Sequence, residues 1–343
     1  MAKLSRTKGK GSPGTSIADI ARRAGVSEST VSRALNNNPA INSNTREKIQ
    51  ALARELDYKV NTGARNLRLQ RSHTIALVIN AEKVDGQTFS DPFMMDMIGA
   101  IADELNEHQY SLLFSSSAIK PQDWYSHLLN SQRADGVIVI GQGRHDGPLR
   151  KLQHESDAVV VWGARVDDAN YCIVGSDNYL GGQLATRHLI QQGCSRMLFL
   201  GDVEHPEIDS RFRGYFDALA EQGLSSQEHH VQAAFSIESG YQHVIELLAN
   251  GLDFDGIFAA SDNIAMGAIN ALREKALNVP GDVAVVGFDD IPIAPYFNPP
   301  LTTVRQNVHL GGKTLVQKVM ALVKGQSVTS EMLKTELVVR ASS

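Results

Sequence analysis

Cysteine is almost absent from this sequence: Cys172 and Cys194 are the only two in 343 residues, and they have neither metal-ligand spacing nor a partner pattern. That excludes a disulfide-stapled scaffold and fits a reducing compartment. No apolar run reaches 18 residues, so a membrane-spanning helix is not expected. The opening stretch MAKLSRTKGKGSPGTS carries charge but no apolar core, so it does not read as a secretory signal, and a cytoplasmic location is expected. The signatures of catalysis are missing too. GQGRHDG (Gly141–Gly147) lacks the GxGxxG spacing, and neither GxxxxGK[ST] nor GxSxG occurs. The 11 histidines are scattered, and His229–His230 reads as the surface entry of a strand rather than a metal site. Neither an enzyme nor a cofactor or metal is expected.

What is present is size and a lopsided charge. A chain of 343 residues with 42% hydrophobic and 21% charged residues suits a globular protein of two or three domains. Residues 1–71 hold 14 Lys and Arg against 5 Asp and Glu, whereas the remainder holds 19 against 33, for a net charge of −5. A basic end on an acidic body points to nucleic acid at that end. Residues 1–14 read as a disordered basic tail, but residues 15–60 have helical patterning.

Ser16 and Asp19 form a capping-box pattern, and Ile17, Ile20, Ala21 and Ala24 then share one helix face. Gly25 stops that helix, and Ser27 caps a second one running from Glu28 to Leu35, with Val31, Ala34 and Leu35 inward. NNNP ends it, and Asn42 caps a third whose apolar stripe is Ile49, Leu52, Ala53 and Leu56. Two short helices joined by a glycine turn and braced by a third make a helix-turn-helix unit, whose second helix enters the major groove. On that helix Glu28 has the chemistry to accept from a cytosine amino group, and Arg33 suits phosphate or guanine.

SIADIARRAGVSESTVSRALN, then TREKIQALARELDY, then NTGARNLR, resemble the LacI–GalR family of bacterial transcriptional regulators, and the likeness extends from about Ser16 to near Val339. The resemblance implies that Glu28 and Ser29 choose the operator sequence. It implies that Ser16, Ser27, Thr30, Ser32, Arg33 and Asn36 anchor the DNA backbone or read bases. It also implies that residues 61–73 form a hinge helix that orders when a dimer sits on its operator. There Asn61, Ala64 and Arg65 would meet DNA, and Leu67 would wedge between base pairs from the minor groove. Gly63 departs from a good helix former and Val60 stands where the family usually has proline, so this hinge is expected to lean on DNA for its order.

From Ile75 onward, short apolar runs alternate with amphipathic segments. The runs are TIALVIN, YSLLFSS, DGVIVIG, AVVVWG, SRMLFLGD, HHVQAAF, DGIFAAS and DVAVVGFDD; Met94–Glu107, Leu180–Gln191 and Ile237–Leu248 show helical spacing. Such alternation indicates parallel sheet covered on both faces, in one large sheet or two Rossmann-like halves. The resemblance selects two lobes, like periplasmic sugar-binding proteins. Lobe 1 would hold about 74–174 and 305–328, and lobe 2 about 175–304 and 329–340. PPLTTVRQNVHLGG would be the third crossover, returning the chain to the first lobe, and TELVVR would rejoin the second.

In such folds ligands lie beyond the carboxyl ends of the strands and between lobes. Arg211, in SRFRGYFDAL, and Asp289, in VAVVGFDD, can bracket adjacent sugar hydroxyls, while Phe235 can stack on a sugar face. The resemblance makes Arg211 the arginine of an RxxG motif and Asp289 the first aspartate of a G[FY]DD motif. It adds Ser261, Asn80 and Gln306 as polar contacts. Asp262 reads as a helix cap and Asp290 as a surface ion pair. Trp162–Gly163 stands where many members have aspartate, which suggests a larger saccharide or glycoside stacked on Trp162.

The expectation is thus an all-α helix-turn-helix head with a hinge helix, joined to an α/β body of two Rossmann-like lobes (74–343). Its function would be that of a homodimeric, operator-binding repressor of carbohydrate-utilisation genes. The partners would be a pseudo-palindromic duplex DNA and a mono- or oligosaccharide effector, with no membrane. A corepressor-dependent regulator answering to a purine or another metabolite, or a sugar-binding protein without regulatory role, are the alternatives.

Overall fold

The computed structural model describes residues 16–58, 71–80, 90–115, 125–144, 149, 158–167, 169–224 and 230–343. The chain divides into two units, residues 1–70 and 71–343.

The first unit is three helices: α1 (Ile17–Ala24), α2 (Glu28–Leu35) and α3 (Ser43–Glu55). Each boundary is set by short polar side chains. The Ser16 hydroxyl accepts from the Asp19 N–H while the Asp19 carboxylate accepts from the Ser16 N–H at 3.0 Å, a reciprocal box that satisfies orphan donors. Gly25 ends α1 in the left-handed conformation (φ 68°), where a side chain would be strained. Ser27 caps α2 by accepting from the Thr30 N–H, and Asn42 caps α3 by accepting from the Asn44 N–H. Ile20, Ala21, Val31, Ala34, Ile49 and Ala53 close a small core, with Leu35, Leu52 and Leu56 packed at its edge. The tail, residues 1–14, and the hinge positions Asn61, Ala64, Arg65 and Leu67 lie outside the described residues.

The second unit holds two six-stranded sheets. The first has the order β11-β5-β4-β3-β1-β2 and is parallel throughout. Its strands are β1 (Thr74–Ile79), β2 (Ser111–Ser115), β3 (Gly136–Ile140), β4 (Val159–Trp162), β5 (Cys172–Ser176) and β11 (Glu331–Leu333). The second has the order β12-β10-β9-β8-β6-β7: β6 (Met197–Leu200), β7 (His230–Val231), β8 (Gly256–Ala259), β9 (Ala284–Asp289), β10 (Thr302–Arg305) and β12 (Glu336–Val338). It is parallel except that β12 runs antiparallel to β10. Helices α4 (Pro92–Glu107) and α9 (Val308–Val323) pack together on the first lobe. Helices α5 (Asn178–Gln191), α6 (Pro206–Ala220), α7 (Ile237–Ala249) and α8 (Asp262–Glu274) belong to the second. Central strands such as VVVW of β4 and GVIVI of β3 are buried along their whole length, as helix-covered parallel strands require.

Several sequence expectations change here. Strand β5, with sequence CIVGS, runs to Ser176, beyond the boundary expected at 174. Strand β11 pairs with β5 in the first sheet, so residues 331–333 belong to lobe 1 rather than lobe 2. Residues 299–312 contain β10 before the chain crosses over, which makes this passage the second of three in chain order, not the third. The passage from β11 to β12 is the third, and TELVVR does join the second sheet. Among the described residues of HHVQAAF, His230 and Val231 form strand. The N–H groups of Ser72 and His73, expected within the hinge, already donate to the Asp135 carboxylate of the body.

One pair of glycines sets how closely α5 and α6 approach. A Cβ on Gly182 (α5) would lie 2.1 Å from the Arg211 carbonyl oxygen, and one on Gly214 (α6) 2.1 Å from the Tyr179 carbonyl oxygen. The helices therefore touch backbone to backbone, and α6 is pressed down far enough for Arg211 to reach inward.

Candidate functional site

On the head, Ser27, Glu28, Ser29, Arg33 and Asn36 are exposed along α2 and its flanks, with Ser16 exposed at the start of α1. Thr30 and Ser32 are half-buried. The Ser27 hydroxyl sits 2.8 Å from that of Ser29 and 2.9 Å from that of Thr30, a cluster of small hydroxyls at the helix N-terminus. Asn36 folds back to donate to the Ser32 carbonyl at 2.7 Å. Opposite, Gln50 of α3 donates to the Ala34 carbonyl and to the Asn37 side chain, fixing the turn that follows α2. Short side chains at the exposed N-terminal end of a braced helix leave room for the helix to approach DNA closely, with the helix dipole favouring phosphate there.

In the body, the strand ends of the two lobes face each other across a cleft of about 620 Å³, part of it open to solvent. All seven side chains singled out from sequence line it: Asn80, Trp162, Arg211, Phe235, Ser261, Asp289 and Gln306. Asn80 follows β1, Trp162 ends β4, Asp289 ends β9 and Gln306 follows β10.

Arg211 is buried on α6. Its Nε donates to Asn178 Oδ1 at 2.8 Å, its Nη1 donates to the Ala260 carbonyl, and its guanidinium carbon lies 3.6 Å from the centre of the Phe288 ring. Burial lowers its pKa, while Asp289, Glu207 and Asp262 act to raise it. Asp289 accepts from Gln306 Nε2 at 2.7 Å. Burial pushes the Asp289 carboxyl up to about 7, against the pull of Arg211 and with Asp91 adding to the rise. Behind it, Asp262 accepts from the Thr303 hydroxyl and from the Ile291 N–H at 2.9 Å, and burial raises its pKa as well. Asp262 is not the helix cap expected of it. Ser261 takes that place, accepting from the Ile264 N–H at 3.4 Å, so Ser261 serves the helix as well as facing the cleft. Asp290 pairs with Arg305 at 2.7 Å and Arg340 at 2.6 Å.

Two aromatic groups wall the cleft. Trp162 packs 6.4 Å from Phe93, and Phe235 meets the His205 ring edge-on at 5.3 Å. Phe235 stands in the turn after β7, four residues beyond its last residue, rather than at a strand end. Asn80 Nδ2 is buried against the cleft and has no hydrogen-bond partner among the described residues. A buried donor of this kind is costly unless something fills its bond.

The lobes are tied directly beside the cleft, where the Gln142 N–H donates to Glu207 Oε1 at 3.4 Å and two further contacts flank it. Asn263 Nδ2 donates to Asp91 Oδ2 at 2.7 Å, and Arg144 pairs with Asp202 at 2.7 Å and Glu204 at 2.8 Å. Asp91, Phe93, Met94, His205, Glu207 and Ile208 also line the cleft and escaped the sequence reading. A signal for some existed: Asp91–Pro92 and His205–Pro206 are cap-plus-proline starts of α4 and α6, and helix starts after strands are where such clefts form.

Residues 16–61 match the description "Bacterial regulatory proteins, lacI family", and residues 186–343 match "Periplasmic binding protein-like domain". The chain is 32% identical over 331 residues to the probable HTH-type transcriptional repressor ExuR of Bacillus subtilis, covering 95% of this chain and 97% of that one. It belongs to the LacI family. Among solved structures, the lac repressor dimer bound to operator and the anti-inducer ONPF superposes with a TM-score of 0.83 at 25% identity, covering 96% and 98% of the two chains. The complex of the transcriptional regulator CelR with cellobiose gives 0.72 at 29% identity, covering 96% and 100%. As a LacI-family chain it is a transcription regulator, with the head as its DNA reader and the two-lobed body as its sensor. No helix among the described residues is long and apolar enough to cross a membrane.

Proposed function

We propose that this LacI-family regulator is a homodimeric repressor of carbohydrate-utilisation genes, and that a mono- or oligosaccharide held between its lobes sets its affinity for a pseudo-palindromic operator. The observation that carries the reading is the convergence of Asn80, Trp162, Arg211, Phe235, Ser261, Asp289 and Gln306, from both lobes, on one cleft. Arg211 and Asp289 would bracket adjacent hydroxyls, the one donating and the other accepting, and Asn80 Nδ2 would find its missing acceptor in a third. Trp162 and Phe235 would offer ring faces to the apolar C–H side of the sugar. A ligand that touches both lobes favours one arrangement of them over another, which is all that a shift in operator affinity requires. On the head, Glu28 and Ser29 would choose bases, and Ser16, Ser27, Thr30, Ser32, Arg33 and Asn36 would hold the backbone or read bases. Asn61, Ala64, Arg65 and Leu67 would complete the contact as a hinge ordered by DNA.

The test is fluorescence anisotropy of the full chain on DNA from its own upstream region, at fixed salt, against a panel of neutral sugars. Fixed salt matters because phosphate-driven affinity changes steeply with ionic strength. Release by one sugar supports the reading; specific DNA binding that no sugar moves sinks the sensor half of it. In the same assay, replacing Glu28 and Ser29 together is expected to redistribute preference at the bases read, by about 1–3 kcal/mol per base pair. Arg33→Ala, by contrast, weakens all sequences alike and lowers the salt slope by about 0.9 if it neutralises one phosphate.

Asp289 adds a pH signature. A sugar hydroxyl that donates to this carboxylate favours its ionised form, and the free protein holds the group near 7 rather than 3.8. Sugar affinity is therefore expected to rise by about tenfold between pH 6 and pH 8, with proton release on binding. Calorimetry in buffers of different ionisation enthalpy checks this, and Asp289→Asn should flatten the profile. The raised folded pKa has the opposite effect on the free protein. Its contribution to stability falls as pH rises from about 4 to 7 and changes no further above that.

A further inference from the structure

We infer that the cleft admits uncharged polyhydroxy ligands and turns away sugars bearing a carboxylate or phosphate. This narrows the saccharide reading above and rests on it.

The charges in the cleft are unequal. Among its described lining residues, Arg211 is the one Lys or Arg side chain, and it faces three carboxylates: Asp91, Glu207 and Asp289. Arg211 is also largely committed. Nε is bonded to Asn178, Nη1 to the Ala260 carbonyl, and Phe288 covers one face of the guanidinium. Its positive charge is felt by Asp289 and answered by Asp289, Glu207 and Asp262 together. The neighbouring Arg144 is pinned by Asp202 and Glu204. His205 has the Asp202 carboxylate 3.7 Å from its Nε2. The charges of Arg211 and Arg144 are thus already countered by carboxylates before a ligand enters.

The hydrogen-bonding inventory points the same way. An ionised carboxylate only accepts. Asp91, Glu207 and Asp289 already take Asn263 Nδ2, the Gln142 N–H and Gln306 Nε2 respectively, and have lone pairs left for ligand donors, which hydroxyl groups supply and a ligand carboxylate does not. The free donors facing the cleft are few. Gln306 Nε2 is spent on Asp289 and Asn263 Nδ2 on Asp91, whereas Asn80 Nδ2 has no partner among the described residues. One amide donor, beside the part of the Arg211 fork that reaches the cleft, suits hydroxyl oxygens. An anionic group desolvated in such a site would need a fork of positive charge to compensate it. With Trp162, Phe93 and Phe235 around the rim, the complement is a sugar ring with hydroxyls on its edge and no formal negative charge.

Calorimetric titration of the full-length protein with matched pairs tests this: D-galactose against D-galacturonate, D-glucose against D-glucuronate and glucose 6-phosphate, cellobiose against cellobionate. Whichever neutral sugar binds, its acid or phosphate is expected to bind at least a hundredfold more weakly, and that gap should narrow about tenfold in Glu207→Gln. An acid or phosphate that binds as tightly as its neutral partner overturns the inference while leaving the saccharide reading intact. If no member of any pair binds, the saccharide reading fails and carries this one with it. The wild-type comparison stands alone, so poor folding of the variant cannot rescue the idea.

Discussion

An Arg211→Ala variant is expected to lose sugar binding while its head still binds DNA. Arg211 is buried, anchored to Asn178 and to the Ala260 carbonyl, and set among Asp289, Glu207 and Asp262. Truncating one member of a buried charged pair costs about 2–5 kcal/mol in ligand affinity, a factor of roughly 30 to several thousand. Much of that cost comes from the carboxylates left behind without a counter-charge, so the variant should also be about 3–5 kcal/mol less stable. Arg211→Lys keeps the charge but not the planar fork that divides itself between Asn178, Ala260 and the cleft, so it should recover stability more than affinity. Calorimetry for the sugar, anisotropy for the operator and thermal melts separate the three effects. Wild-type sugar affinity in a folded Arg211→Ala protein would remove this residue from the site.

Gly214→Val is expected to damage the second lobe strongly, although Gly214 does not line the cleft. Its Cβ would sit 2.1 Å from the Tyr179 carbonyl oxygen and 3.0 Å from the Gln183 nitrogen, both backbone atoms of α5 that have no room to retreat. Overpacking of this kind usually costs about 1–3 kcal/mol, and a branched side chain against backbone falls at or beyond the upper end. Moving α6 off α5 also draws Arg211 away from Asn178, so residual folded protein should bind sugar poorly. The three-residue spacing of Arg211 and Gly214 in the RxxG motif thereby has a mechanical reason: the glycine lets the helix descend so that the arginine about one turn earlier reaches the cleft. Gly240 and Gly267 stand in the same relation between α7 and α8, with Cβ positions 2.2 and 2.1 Å from the Ile264 and Ile237 carbonyl oxygens. Denaturant unfolding and soluble yield check the stability claim; a Gly214→Val protein as stable as wild type would refute it.

The head was legible because its boundaries are local chemistry. Ser16 with Asp19, Gly25, Ser27 and Asn42 each act within four residues of themselves, so the sequence displays them directly. The cleft residues at strand ends were legible for a related reason, since a polar residue closing an apolar run has few places to be. What escaped depends on partners far along the chain. Strand β11 is three residues with one buried, and only its pairing with β5 makes it a strand. Asp262 looked like a cap from its position, but Thr303 and Ile291, distant in sequence, claim its carboxylate and leave the cap to Ser261. Asp91 and Glu207 begin helices on opposite lobes, and nothing in either neighbourhood says that they face a common ligand space.

The weave of the two sheets has a consequence for the order in which the protein comes into being. The head completes its contacts between Ser16 and Tyr58. Neither sheet of the body is finished until residues 331–338 have been made, because β11 closes the edge beside β5 and β12 the edge beside β10. Synthesis at about 5–20 residues per second therefore leaves an interval on the order of ten seconds or more in which the reader has taken shape and the sensor has not. During that interval the nascent chain holds a groove-seeking helix while the cleft residues, Asn80 to Gln306, sit on sheets that still lack an edge strand. Control over DNA arrives last, with the final short strands.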